Sequence, residues 1–224
     1  MSTAKTVYFV RHGESADNVS PVFQSPDSPL SDRGRKQAEM IAARARSIAF
    51  EAFITSPYRR AAETAEAIAK ATGKRPEESA LFVERMKPAR VNGSPHTDEE
   101  AARLWREWNE TLYTPGVRVA DGENFDDIMA RAEKAMVFLE ERPERSVLVV
   151  THGYFLRALT ARILLGDLLS GEAFRRFQKM SETENTGLTV LRYREKKSGE
   201  GSRWNVWIYN DHAHLAEENT KTAP

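Results

Sequence analysis

The stretch SVLVVTHGYFLRALTARILLG, residues 146–166, decides the architecture. Its first six residues, Ser146 to Thr151, are the most strand-like run in the chain. They are apolar on both faces, as a central parallel strand is and a half-solvated antiparallel strand is not. From Tyr154 onward the apolar residues fall at helical spacing, and Gly166 marks the stop. A buried strand feeding directly into an amphipathic helix is the building unit of an α/β sheet. The junction between the two carries His152 and Gly153, at the strand end where such sheets bind ligands.

The same alternation repeats outward from this unit. Residues 6–10 read as a buried strand, followed by LSDRGRKQAEMIAARARSI (30–48) with Ala38, Ile41, Ala42, Ala45 and Ile48 at helical spacing. AFITS (52–56) is a further strand. Ser56 and Pro57 predict an N-cap and first-turn proline for a helix running to about Thr72 and closed by Gly73. Thr97 to Glu100 fits a capping box opening a helix with Leu104, Trp105, Trp108 and Leu112. Another helix follows Asp127, with Ile128, Ala132, Ala135 and Leu139 on one face and Pro143 at its end. GLTVLRYR (187–194) and WNVWIYN (204–210) read as two strands joined by the polar hairpin loop EKKSGEGS. The expectation is a single α/β domain over residues 1–224: a three-layer sandwich, its central sheet mostly parallel, with helices on both faces. The stretch from about 85 to 125 holds Pro88, Pro95 and Pro115 and no strand of its own, and is expected to form a helical lid over the C-terminal strand edge.

Composition narrows the function classes. With 40% hydrophobic and 29% charged residues the 224-residue chain is neither disordered nor membrane-embedded. Lysine plus arginine equals aspartate plus glutamate at 33 each, so no basic surplus points to nucleic acid or a membrane surface. There is no cysteine, which removes disulfides, thiolate metal sites and cysteine nucleophiles together. No apolar run reaches the roughly 20 residues of a membrane span. MSTAKTVYFV does not have the form of a signal peptide, so a cytoplasmic location is the expectation.

Three strand ends carry chemistry. Arg11, His12 and Gly13 follow the first, Arg60 sits in the first turn of the helix after AFITS, and His152 and Gly153 follow SVLVVT. Two of only five histidines and two arginines thus converge on one sheet edge. Guanidinium groups match phosphate oxygens in bidentate geometry, and helix N-termini add free N–H donors. A neutral imidazole in such a pocket has a lone pair that can attack phosphorus, with the cations offsetting charge on the transferring group.

These residues carry a resemblance. RHGESADN (11–18) resembles the Arg-His-Gly-Glu/Gln-Ser-x-x-Asn signature of the histidine phosphatase superfamily, founded on the cofactor-dependent phosphoglycerate mutases. The likeness continues through SPLSDRGRKQA (28–38), SPYRRAAETA (56–65), DGENFDDIMAR (121–131), VVTHG (149–153), NTGLTVLRY (185–193) and WIYNDHAHL (207–215), covering nearly the whole chain. It implies that His12 is the nucleophile, that Arg11, Arg60 and His152 complete the phosphate pocket, and that Asn18 also contacts phosphate. It places the proton donor on the loop after the third strand, where LFVERM offers Glu84. Glu14, Asp121 and Glu123 are competing carboxylates.

Plainer readings stand beside these. Ser15 is a loop hydrogen-bonder, since no base is arranged for it. Asn18 also suits a turn. His212 and His214 form an H-x-H pair that can bind metal on a strand face, but near the C-terminus it reads as structural. Arg59 reads as solvated, Trp105 and Trp108 as core. Arg85, Lys87 and Arg90 either select an acidic substrate or are solvated. The expected activity is metal-independent and cofactor-free phosphomonoester hydrolysis through a phosphohistidine on His12, acting on a small molecule, with phosphate or sulfate able to occupy the site. Two alternatives are mutase-type phosphoryl transfer and a non-catalytic phospho-ligand binding protein. The mutases carry a longer segment with a basic cluster after the donor loop, where this chain has Met86, Lys87 and Pro88. Neither substrate identity nor oligomeric state is legible.

Overall fold

The structure is a computed structural model and describes residues 4–194 and 203–215. Six strands form one sheet: β1 (Ala4–Arg11), β2 (Ala52–Thr55), β3 (Glu77–Glu78), β4 (Ser146–Thr151), β5 (Leu188–Arg194) and β6 (Trp204–Asp211). Their spatial order is β3-β2-β4-β1-β5-β6. β1, β2, β3 and β4 pair in parallel, β5 runs antiparallel to β1, and β6 is antiparallel to β5. β5 alone therefore opposes the common direction, and the sheet is mostly parallel, as expected. The loop predicted at 195–202 lies outside the described residues.

Register brings the strand ends together. Arg11 pairs with Thr151 and Thr55 with Val150, so β1, β2 and β4 finish side by side. Leu188 pairs with Val10, which delivers the segment entering β5 to the same edge. Alternate residues of the central strands enter opposite cores. Val7, Phe9, Val147 and Val149 pack under α4 (Phe125–Glu141) and α5 (Gly153–Leu165). Val10, Leu148 and Val150 pack under α1 (Asp32–Ala45) and α2 (Arg59–Thr72). The chain thus leaves β1 towards one face and β4 towards the other, which opens a crevice at their shared carboxyl end.

Local details depart from the expectations. The cap of α2 is Tyr58 rather than Ser56; the Ser56 hydroxyl instead meets His152 Nε2 at 2.7 Å and accepts the Tyr58 N–H at 3.3 Å. Gly73 closes α2 at φ 72°, the left-handed conformation glycine tolerates. Asp98, not Thr97, caps α3 (Glu99–Thr111), its side chain accepting from the Ala101 N–H at 3.0 Å. α4 begins at Phe125, before Asp127, because Asn124 and Asp127 form a reciprocal capping box. Two elements were not expected. α6 (Gly171–Met180) is capped by Ser170, and β3 is an exposed two-residue edge strand.

The excursion between β3 and α4 carries α3. Trp108 and Leu112 are fully buried and join Phe125, Ile128, Tyr154 and Phe174 in a third apolar cluster. A bridge between Val22 and Pro95 ties the excursion to the segment after β1, reinforced by Phe23 N–H donating to the Ser94 carbonyl at 2.9 Å. Trp105 is half-buried and stacks on Phe23 with ring centroids 5.7 Å apart. No helix among the described residues is long and apolar enough to cross a membrane.

Candidate active site

The turn after β1 is held by the turn before β5. The Asn185 side chain donates to the His12 carbonyl at 2.9 Å, and the Thr186 N–H donates to the Arg11 carbonyl at 3.0 Å. Thr186 is fully buried at φ 60°, a left-handed conformation that strains a β-branched residue. Gly13 has no room for a side chain: an added Cβ would meet the Gly34 carbonyl oxygen at 2.5 Å. At Gly153 an added Cβ would meet Thr183 Oγ1 at 2.8 Å and Arg11 Nε at 3.1 Å, so that glycine lets the first turn of α5 approach Arg11.

His12 is 2% exposed, and its Nδ1 lies 2.6 Å from the Gly13 carbonyl oxygen. A carbonyl only accepts, so Nδ1 carries the proton and the lone pair is on Nε2. Arg60 Nε donates to that lone pair at 3.1 Å, while its Nη1 donates to the Ser25 carbonyl at 2.9 Å. Burial, then Arg60 and Arg11, press the His12 pKa well below 6.5, against a smaller opposing effect of the Gly13 carbonyl. The nucleophile candidate is thus neutral at neutral pH. Burial brings the Arg60 pKa down to about 10, so the guanidinium keeps its charge.

His152 lies beside His12, ring centroids 5.0 Å apart. Its Nε2 is 2.7 Å from Ser56 Oγ, and its buried Nδ1 has no hydrogen-bond partner. Burial, Arg60 and then His12 press its pKa well below 6.5 as well. Arg11 donates through Nη1 to the Thr183 carbonyl, and its buried Nε is unpartnered. Arg11 Nε and His152 Nδ1 are thus two buried nitrogens whose hydrogen-bonding capacity the protein does not use. Asn18 Oδ1 accepts from the Ser15 N–H at 3.1 Å and from its hydroxyl at 2.9 Å, which leaves the Asn18 amide N–H groups to the cleft. Ser15 is buried in this loop network, as expected.

His12, Arg11, Asn18, Gly153 and Glu84 line one cleft of about 490 Å³. A smaller cavity of about 230 Å³ towards the excursion is lined by Arg60, Glu84, Arg85, Lys87, Tyr58 and Asp121, among others. Glu84 faces both. Its carboxylate accepts N–H groups of Arg85 at 3.1 Å, Phe155 at 3.2 Å and Tyr154 at 3.4 Å, so it sits on the N-terminus of α5. Burial pushes its pKa up, but Arg85, Arg60 and these N–H donors outweigh that and hold it below the ordinary carboxylate value.

The competing carboxylates are committed elsewhere. Glu14 accepts from Ser31 Oγ at 2.7 Å. Glu123 is buried against Arg131. Asp121 accepts from the Ala89 N–H and reaches only the smaller cavity. Arg85 lies over the Tyr154 ring at 4.5 Å and donates to Asn109. Lys87 has its pKa brought down to about 8 by burial, Arg85 and Arg60. Arg90 pairs with Asp98 and Glu100, and Arg59 with Glu63, both on the surface. The ring nitrogens of His214 meet Arg44 and Thr186, a structural placement, while His212 Nδ1 meets the Asn210 carbonyl. Arg131, Asn185 and Thr183 shape the site through main-chain carbonyls and were not anticipated. The quoted stretches DGENFDDIMAR and NTGLTVLRY contained Arg131 and Asn185 without a reason to single them out.

Comparison with known proteins places the chain in a family. A protein from Enterobacter sp. (strain 638), named probable phosphoglycerate mutase GpmB, is 32% identical over 217 residues, covering 93% of this chain and 94% of its own. Bacillus stearothermophilus YhfR superposes with a TM-score of 0.76 at 25% identity, over 94% of this chain and 99% of its own. The native structure of mycobacterial glucosyl-3-phosphoglycerate phosphatase gives 0.70 at 25% identity, over 93% and 99%. The family model of the histidine phosphatase superfamily (branch 1) matches residues 7–206, from the first core strand into the last. With the strand ends, the paired histidines and this match all in one register, the chain belongs to the histidine phosphatase superfamily.

Proposed function

We propose that the protein hydrolyses small-molecule phosphomonoesters, without a metal ion, through a phosphohistidine on His12. The observation that carries the reading is the state of His12: Nδ1 bound to the Gly13 carbonyl, and the Nε2 lone pair facing the cleft and met by Arg60. A phosphoryl group in that cleft takes over the Arg60 donor and frees the lone pair for in-line attack. Arg11 Nε, His152 Nδ1 and the Asn18 amide supply further donors to the phosphoryl oxygens. These fixed donors carry the charge stabilisation that metals supply elsewhere. Among the described residues no cluster of three or more His, Cys, Asp or Glu is arranged to hold a metal.

Glu84 is the proton donor in this reading. Its carboxylate is ionised when it faces only cations and N–H groups. A dianionic phosphoryl group drawn in beside it raises its pKa, so the substrate itself readies the acid. After the alcohol leaves, the same carboxylate accepts a proton from the water that attacks phosphohistidine. The chain works in this reading as one unit, with residues 85–125 as its lid.

A second reading, mutase-type transfer, is favoured by the name of the sequence relatives. Against it, Met86, Lys87 and Pro88 follow the donor loop in place of the mutases' longer basic segment. The test is a panel of phosphomonoesters assayed with EDTA. Inorganic phosphate release that survives EDTA, with vanadate as a competitive inhibitor, supports hydrolysis. Strict dependence on added Mg²⁺ or Zn²⁺, or transfer to phosphoglycerate in preference to water, overturns it.

A further inference from the structure

The loop that carries Glu84 has little sheet to hold it. β3 stops at Glu78, and the chain reaches Glu84 through a short 3-10 turn at Ala80–Phe82. Its carbonyls are received by side chains instead. Arg131 Nη1 donates to Leu81 O at 3.1 Å and Val83 O at 2.8 Å, and Nη2 to Glu84 O at 3.3 Å. Thr151 Oγ1 donates to Phe82 O at 2.7 Å. On its other side the guanidinium makes a bidentate pair with Glu123, Nε to Oε1 at 2.7 Å and Nη2 to Oε2 at 2.8 Å. Glu123 Oε2 then accepts the Met86 N–H at 2.9 Å, and the Glu123 N–H donates to the Met86 carbonyl at 2.9 Å. The Trp108 indole N–H fixes Glu123 by donating to its carbonyl at 2.7 Å.

Both partners are buried, Arg131 at 9% exposed and Glu123 at 5%. A buried ion pair is a poor device for stability, because desolvation offsets the attraction and apolar replacements are often neutral. What this pair has that apolar residues lack is direction: its donors and acceptor grip residues 81, 83, 84 and 86. The guanidinium also lies 4.1 Å from the centroid of the Phe155 ring, and Phe155 is one of the two residues of α5 whose N–H groups the Glu84 carboxylate accepts. One side chain therefore touches both the backbone that carries the carboxylate and the helix end that receives it.

We infer that Arg131, fixed by Glu123, is the positioning residue that holds Glu84 at the N-terminus of α5, in reach of the leaving group. The inference rests on the reading of Glu84 as the proton donor. It predicts that loosening the clamp impairs proton donation selectively, without touching the phosphate pocket.

The test variant is Arg131→Met with Glu123→Gln, which removes both charges together and keeps an acceptor for the Met86 N–H. Turnover of an alkyl phosphate should fall about 10²-fold, the scale of a 1 Å misplacement, and that of p-nitrophenyl phosphate far less. Adding Glu84→Gln should bring little further loss, since the residues act as one unit. A readout independent of turnover is the titration of the Glu84 carboxyl carbon by NMR. It should move up towards the ordinary carboxylate range as the side chain leaves its N–H donors. Equal losses on the two esters, or an unchanged Glu84 titration, overturns the inference. Should the double variant not fold, Arg131→Lys, which keeps the charge but not the fork, is judged by the same two readouts. If the wild type hydrolyses no ester, the proposed function fails, and the Glu84 titration still decides the positioning role.

Discussion

In the proposed mechanism Glu84 is the proton donor, because an alkoxide is a poor leaving group and needs a proton. Glu84→Gln should slow phosphoryl transfer from an alkyl phosphate by about 10²–10⁴-fold, the range for general acid catalysis. The same change should slow the first step with p-nitrophenyl phosphate much less, and burst kinetics isolates that step. Equal slowing on both would take the acid role from Glu84. His12, Arg11, Arg60 and His152 were legible because each stands at a strand end or in the first helical turn beyond one, and topology alone brings strand ends together. Arg131 and Thr186 were not. Which carbonyls go unpaired in a turn, and which side chain answers them, depends on loop paths that periodicity does not encode. A threonine at φ 60° gives no warning in sequence, where glycine or asparagine is the expected occupant.

Helix ends show what local pattern can and cannot decide. Thr97 and Asp98 are adjacent candidates for the cap of α3, and both precede glutamates. The backbone chooses Asp98, which also pairs with Arg90 at 2.7 Å. Asp98→Ala should lower the midpoint of thermal unfolding and Thr97→Ala should leave it in place, measured by circular dichroism. The reverse order would return the cap to Thr97. α6 had a readable signature, Ser170 as cap with Phe174 and Phe177 a helical turn on. β3 had none: two exposed glutamates join the sheet because β2 offers an edge, not because they favour a strand.

Across the whole molecule, the two cavities and both histidines sit where β1 and β4 send their chains to opposite faces. Enclosing two neutral imidazoles there has a consequence for stability. His12 and His152 both have folded-state pKa values well below 6.5. As pH falls below about 6.5 the unfolded chain takes up a proton at each of these histidines that the folded chain refuses, so stability drops on acidification. The slope reaches about 1.4 kcal/mol per pH unit for each histidine. Urea titrations from pH 7 down to pH 5 should show this fall, and a variant lacking both imidazoles should show a shallower one. Equal slopes in the two proteins would mean that the imidazoles are not held neutral by the fold.

In the proposed mechanism His12 becomes phosphorylated during turnover. Quenching the enzyme in base within the first turnover and mapping its peptides by mass spectrometry tests this directly. The peptide containing His12 should carry one phosphoryl group, stable in base, lost in acid, and gone when substrate is exhausted. A phosphoryl group on another residue such as Ser15, or an unmodified enzyme during steady turnover that shows a burst, would contradict it.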